Sequence, residues 1–454
     1  MTDSTNLPSC GAGDDPKGLA TPGSLDEVVQ LCSELIAIDS TNTGDPATLV
    51  GEREAAAYVA AKLSEVDIKS TTIESADKRA NVIIKIKGED SSRPALLVHG
   101  HLDVVPADAS EWSVDPLSGL IKDDYVWGRG AIDMKDMDAM MLAVVRRWKR
   151  EGIRPPRDMV FAWLADEEHG GKFGAHWLVD EHPELFEGCS EAVGEVGGFS
   201  YTVSEDLRIY PIMTGEKSIA WMRITAKGVP GHGSMLHQNN AITKLSEAVA
   251  RIGLHEFPVA WTDTTRAFLT GLGEAMGTDL MHVDPQVMID KLGPLGRIVG
   301  ATMRNTANPT MLEAGYKANV IPGTASAVID CRIIPGQEAE FERQINALLG
   351  PDIEREWIIT DQALEVSFEG DLVAAMTAAL AAEDPGSRTL PYLMSGGTDA
   401  KSFATLGMTC YGFSPLRLPA DLDFASLFHG IDERVPTDAL QFGARILDRF
   451  LLTA

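Results

Sequence analysis

The chain opens on a polar stretch and then turns periodic. Leu25, Val28, Val29, Leu31, Cys32, Leu35 and Ile36 fall at helical spacing and predict an amphipathic helix. REAAAYVAAKLSEV predicts a second helix. Two short strands follow, NVIIKIKG and PALLVHGHLDVV, and the second is a near-continuous apolar run, as expected of a strand buried on both faces. DMKDMDAMMLAVVRRWKREG reads as a long helix and DMVFAWLAD as another buried strand, so helix and strand alternate as in an α/β domain. From about residue 205 the texture changes. KSIAWMRITAKG alternates like a half-buried strand, NNAITKLSEAVARI is helical, and PTMLEAGYK and TASAVIDCRII are strands; EAEFERQINALLG is helical and IEREWIIT is a last strand. This βαββαβ order predicts a compact two-layer α+β unit, with an extra stretch of low periodicity at residues 257–300. The α/β pattern resumes near residue 369 and closes on the helix TDALQFGARILDRFLL. The predicted organisation is a disordered, Gly/Pro/Ser/Asp-rich tail at 1–23 and an α/β domain at 24–205 and 369–454, interrupted by an inserted unit at 206–368.

Composition narrows the class. With 454 residues, 44% hydrophobic and 23% charged, the chain is globular rather than disordered or fibrous, and long enough for two or three domains. No apolar run reaches the roughly 18 residues of a membrane span, and the first residues lack the basic start and apolar core of a signal peptide. Lys+Arg 39 against Asp+Glu 67 leaves a net charge of −28. That charge repels phosphate backbones and anionic lipid, so neither nucleic acid nor a membrane is an expected partner. Cys10, Cys32, Cys189, Cys331 and Cys410 are scattered without CxxC spacing, which fits a reducing, cytoplasmic setting.

The chemistry gathers at strand ends. His99, His101 and Asp103 alternate at the end of a buried strand, where imidazoles and carboxylates suit a divalent metal; a hydrogen-bonded histidine pair is the other reading. In GRGAIDMKD the glycines allow a tight turn that delivers Asp133 just before a helix, as a ligand or as an N-cap. The strand MVFAWLA empties into Asp166, Glu167, Glu168 and His169. Adjacent acids raise one another's pKa and a metal would relieve them, although a solvated acidic loop is the simpler alternative. Two neighbouring glutamates also permit a division of labour, one binding metal and one serving as general base. Counted together, His101, Asp133, Glu168, Glu195 and His429 make two imidazoles and three carboxylates. That set fits two divalent ions sharing one carboxylate, with zinc the best match and cobalt or manganese able to substitute.

HGHLDVVP, GRGAIDMKD, ADEEHGG, GEVGGF, GVPGHGSMLHQNNA, SGGTDAKSF and FHGIDE occur in the order typical of one group. Over about residues 25–454 the chain resembles the di-zinc metallopeptidases that include aminoacylase, carboxypeptidase S and glutamate carboxypeptidase, acetylornithine deacetylase and succinyl-diaminopimelate desuccinylase. The resemblance implies a zinc-peptidase-like α/β/α catalytic domain with an inserted lid and dimerisation domain. It also implies two zinc ions per subunit, one on His101 and Glu195, the other on Glu168 and His429, with Asp133 bridging and a cis peptide following it. Glu167 matches the general base and Asp103 the acid that orients His101. His232 matches the histidine that reaches across a homodimer to polarise the scissile carbonyl, though beside its glycines it also reads as a turn residue. Asn319, Arg332, Gly397 and Thr398 match substrate-binding positions, and an arginine fork suits a free carboxylate. The expected activity is amide hydrolysis of N-acyl amino acids or short peptides. A dipeptidase is the alternative within the class, and a non-catalytic metal-bearing binding protein the alternative outside it.

Overall fold

A computed structural model describes residues 25–204, 207–291 and 294–454; the expected tail at 1–23 and Cys10 lie outside the described residues. The first part runs α1 (Val28–Ile36), α2 (Arg53–Ser64), β1 (Thr71–Ala76), β2 (Arg79–Ile86), β3 (Ala95–His101), β4 (Leu120–Lys122), β5 (Tyr125–Trp127), α3 (Lys135–Glu151), β6 (Met159–Leu164), α4 (Ala175–Glu181), β7 (Cys189–Gly194), β8 (Tyr201–Ser204) and β9 (Leu207–Glu216). The middle follows as β10 (Ser218–Lys227), β11 (Gly231–His232), α5 (Ala241–Gly253), α6 (Asp263–Met276), α7 (Pro285–Lys291), α8 (Pro294–Thr302), β12 (Thr306–Ala314), β13 (Val320–Ile321), β14 (Thr324–Ile333), α9 (Glu338–Leu349) and β15 (Ile353–Thr360). The chain closes with β16 (Leu364–Glu365), α10 (Asp371–Glu383), β17 (Arg388–Met394), α11 (Ala400–Ala404), β18 (Thr409–Gly412), β19 (Arg434–Pro436) and α12 (Thr437–Leu451).

Among the described residues ten strands form one mixed sheet in the order β1-β2-β6-β3-β7-β18-β9-β16, with β8 and β17 also on β9. Its central strands are apolar throughout because both faces are covered. Val82, Ile84, Leu96, Val98, Phe161 and Trp163 pack with α1, α2, α3, α10 and α12 on one side. Their neighbours Ile83, Leu97, Val160, Ala162 and Leu164 pack with α4 and α11 on the other. This is the expected α/β/α sandwich, and it aims the carboxyl ends of parallel strands β3, β6 and β7 at one edge. No helix among the described residues is long and apolar enough to cross a membrane.

The inserted unit is an antiparallel sheet, β12-β14-β10-β15, backed by α5 and α9 around Met222, Ile224, Leu245, Ile329, Phe341 and Ile345. One sequence expectation is corrected here. The range 206–368 is too wide, because β9 and β16 pair with each other inside the large sheet; the crossings fall at Lys217 and at residues 361–363. The stretch at 257–300 is helical despite its low periodicity. It holds α6, α7 and α8, which pack Phe268, Leu269, Leu272, Leu295 and Val299 against Ile209 and Leu390 of the large sheet. Its period was hidden because threonines occupy two inward positions of α6, Thr264 and Thr265, and because Gly271 stands where a Cβ would press on Leu390.

Candidate metal centre

Strand β3 delivers His101, buried at 1% exposure, to the carboxyl edge of the sheet. The 128–133 turn delivers Asp133, whose peptide to Met134 is cis. Asp133 does not cap α3: Met134 occupies the N-cap position and makes no side-chain cap bond. Instead one Asp133 oxygen, Oδ1, lies 3.2 Å from His101 Nε2, and the other, Oδ2, lies 3.2 Å from His429 Nε2. Glu195 Oε2 stands 3.5 Å from His101 Nε2 and Glu168 Oε2 3.2 Å from His429 Nε2. Glu167 Oε2 is a little farther, 3.9 Å from His101 Nε2.

These spacings fit a metal. Ligands arranged tetrahedrally at about 2.0–2.1 Å from one ion stand about 3.3 Å from each other. The donor atoms of His101, Asp133 and Glu168 lie within 4.8 Å of one another, as do those of His101, Glu167 and Glu195. Glu168 Oε1 is buried without a hydrogen-bond partner, a cost of about 1–3 kcal/mol that a cation would remove. The His101 ring is already turned for coordination, because its Nδ1 donates to the Asp103 carbonyl at 3.0 Å and Nε2 faces the carboxylates.

That bond revises the expectation for Asp103. Its carboxylate is 3.6 Å from His101 Nδ1 and orients the ring through its backbone instead. The carboxylate accepts the Glu167 and Glu168 amides, each at 3.1 Å, and the Asn42 side-chain amide at 2.8 Å. The turn after β6 has no other strand or helix bond for those two amides, so Asp103 fixes the acidic turn itself.

Charge in this space is costly, because these groups share one crowded and largely buried site. Burial, then Glu195, holds the Glu167 carboxyl well above its ordinary range. Burial and Asp133 raise Glu168 to about 7. Burial also raises Glu195, with His101 opposing. Burial would raise Asp133 too, but hydrogen bonds from His101 and His429 outweigh it and hold this carboxyl low. Burial would lower His101, yet Glu195, Asp133 and Glu167 keep it well above 6.5, and hydrogen bonds to Asp133 and Glu168 raise His429 to about 10. Carboxylates that resist ionisation and imidazoles that hold protons are what an anionic cage for a cation looks like from the protein side.

The remaining expected residues lie apart from this set. His99, buried and held neutral near 3 by burial and His101, packs on Phe403 and against Gly194. His232 is exposed on β11, its Nδ1 accepting from Ser234. Asn319 contributes its backbone carbonyl to Gly233. Arg332 pairs with Asp330 through Nε at 2.7 Å and Nη2 at 3.1 Å. It is the cross-strand partner of Ile219, whose side chain a Cβ on Gly397 would meet at 2.7 Å, so Arg332 faces the 397–398 loop. Thr398 is buried, capping the Ala400 amide at 3.1 Å and donating to Glu216 at 3.4 Å.

Three supporting residues were not singled out from the sequence. Glu433 bonds the Ile132 amide at 2.9 Å and Arg129 at 2.6 Å, pinning the turn that carries Asp133. Asn42 joins Asp103 to Asp166. Asp399, buried with Oδ2 unpartnered, lies close enough to Glu195 to be raised by it after burial. Glu433 and Asp399 both stand inside motifs already noted, FHGIDE and SGGTDAKSF, as acids at the ends of apolar runs. Asn42 carries no local signal.

Comparison with known proteins places the chain in a family. The model of Peptidase family M20/M25/M40 matches residues 97–453. The chain is 30% identical over 380 residues to the Dictyostelium discoideum protein named Probable carboxypeptidase S-like 2, covering 78% of this chain and 70% of that one. It is 26% identical over 412 residues to aminoacylase-1 of Sus scrofa, covering 87% and 89%. An M20 family metallo-carboxypeptidase of Sulfolobus solfataricus shares the fold, with a TM-score of 0.72 at 17% identity over 94% of this chain and 99% of that one. Motif order, acidic cage and family match converge, and the chain belongs to peptidase family M20/M25/M40, a family of metal-dependent hydrolases.

Proposed function

We propose that the protein hydrolyses the amide bond of N-acyl amino acids, using two zinc ions per subunit held by His101, Glu195 and Asp133 on one side and by Glu168, His429 and Asp133 on the other. The observation that carries this reading is Asp133, whose two oxygens each face a different imidazole at 3.2 Å. The ions, once bound, supply Lewis-acid activation of water and of the scissile carbonyl. Glu167 sits 3.9 Å from His101, farther than the other acids; as the carboxylate it takes a proton from the attacking water and returns it to the leaving amine. Arg332, facing the Gly397–Thr398 loop, holds the free carboxylate of the amino acid, and Asn319 the substrate carbonyl. Cobalt or manganese would support the same chemistry.

A homodimer through the inserted unit belongs to this reading. β12 is an edge strand with Met311 and Leu312 exposed at 57% and 58%, a surface that invites pairing, and exposed His232 is then free to serve the partner's site. Light scattering that finds only monomer removes that role. A cytoplasmic setting is supported by four free cysteines among the described residues. The decisive test is zinc-reconstituted protein against N-acyl amino acids and unblocked dipeptides, scored by amine release with and without chelator. Chelator-sensitive cleavage of acyl amino acids is expected; cleavage confined to dipeptides replaces the reading with a dipeptidase, and silence with metal bound leaves a binding protein.

A further inference from the structure

A cavity of about 410 Å³ opens beside the metal centre. Val196, next to Glu195, Phe428, next to His429, and Gly396, next to Gly397, all line it. A small void bounded by Glu195 shares Val196, Phe199 and Phe428 with it, so the cavity abuts the acidic cage. Its volume is within the range of roughly 300–1,000 Å³ that ligand pockets have. Among the described residues no lining residue is charged, and aromatic rings from Phe199, Tyr201, Tyr392 and Phe428 dominate the walls. Ala301 of α8 also lines it, so the helical segment at 257–303 shapes this cavity. His232, Asn319 and Arg332, on the inserted unit, do not line it.

We infer that this cavity is the subsite for the acyl group and that it takes bulky uncharged acyl groups, aromatic or medium-chain aliphatic, while rejecting acyl groups that carry a carboxylate. The inference rests on the amidohydrolase reading and gives it a substrate class. With the free carboxylate held on the inserted unit by Arg332, the part of the substrate on the other side of the scissile bond falls on the sheet side, where the cavity lies. Apolar walls reward each buried methylene, and aromatic walls suit an aryl group in offset or edge contact. A carboxylate there would be desolvated with no cationic partner among the described lining residues, beside a cage already rich in acids.

The test is an N-acyl-L-alanine series from acetyl to hexanoyl, with phenylacetyl and succinyl, on wild type and Ala301→Phe. In wild type, kcat/KM is expected to rise roughly three- to fourfold per methylene, with succinyl at least tenfold below butanoyl. Ala301→Phe, which fills part of the cavity, should flatten the series, so that hexanoyl and phenylacetyl lose their advantage over acetyl. Calorimetric binding of N-hexanoyl- and N-acetylalanine to the metal-free protein reads the same preference without turnover. If acetylalanine is cleaved but the series is flat, succinyl matches butanoyl, or Ala301→Phe changes nothing, the subsite is overturned while the hydrolase stands. If nothing is cleaved but binding still favours hexanoyl in wild type alone, the hydrolase reading falls and the subsite stands. If nothing is cleaved and binding shows no chain-length preference, both fall.

Discussion

At the scale of single residues, the centre depends on a division between carboxylates that touch the same space. Glu168 and Glu195 stand 3.2 and 3.5 Å from an imidazole nitrogen and Glu167 stands back at 3.9 Å, though Glu167 and Glu168 are chain neighbours. The Asp103 carboxylate produces that split by holding both of their amides, so the two side chains leave the turn in fixed, different directions. Glu167→Gln keeps the size and the turn but cannot carry the proton. Turnover is expected to fall by about 10²–10⁴-fold with metal content unchanged, as read by steady-state assay and elemental analysis of the same preparation. Activity near wild type would remove Glu167 as the base. The residue roles were partly legible in the sequence. Adjacent acids at the end of an apolar strand announced themselves, whereas Asn42 and the backbone role of Asp103 became visible only when distant segments met.

At the scale of elements, the strand ends act as rigid mounts. Gly412 of β18 lies where a Cβ would overlap the carbonyl oxygens of Glu195 and Val196. Gly412→Ala is therefore expected to displace the segment carrying Glu195 and to weaken metal binding by about 10–100-fold, the scale seen when support behind a ligand is lost. Equilibrium dialysis against zinc checks this; unaltered affinity would show that the segment moves without the ligand. At the crossing into the inserted unit, Lys401 donates to the Lys217 carbonyl and to Asp361, each at 2.8 Å, and so ties both connections to α11. Beside it Glu216 is buried with Oε2 unpartnered, and burial lifts its carboxyl from an ordinary 4.5 to about 8. Between those pH values the folded chain keeps a proton that the unfolded chain releases, so Glu216 makes stability fall as pH rises through the window. Glu216→Gln should flatten that slope in chemical denaturation at a series of pH values; an unchanged slope would assign the effect to other groups. The helices of the 257–300 stretch belong here too. Their periodicity was masked by inward-facing threonines and glycines, which only packing against Ile209 and Leu390 makes sense of.

At the scale of the whole molecule, four carboxylates and two imidazoles from segments far apart in the chain are compressed into one space, buried except on the side of the exposed His429. Binding a divalent ion there favours the folded state alone. At a zinc concentration about 1,000-fold above Kd the gain is about 4 kcal/mol, so zinc should raise the Tm of metal-free protein by several degrees, and chelator should reverse it. A Tm indifferent to both would dissolve the metal centre. The sequence by itself determined the alternation of strand and helix, the interruption by a βαββαβ unit, and the residue types at each strand end. Those signals are local: side-chain period and turn chemistry are written within a few residues. Tertiary structure alone decided that Asp133 turns one oxygen to each histidine, that β9 and β16 belong to the large sheet, that Asp103 serves the acidic turn, and that Ala301 walls a cavity beside Val196. Each of these is a distance between segments remote in the chain, set by how two layers of helices close on one twisted sheet, and no local pattern encodes it.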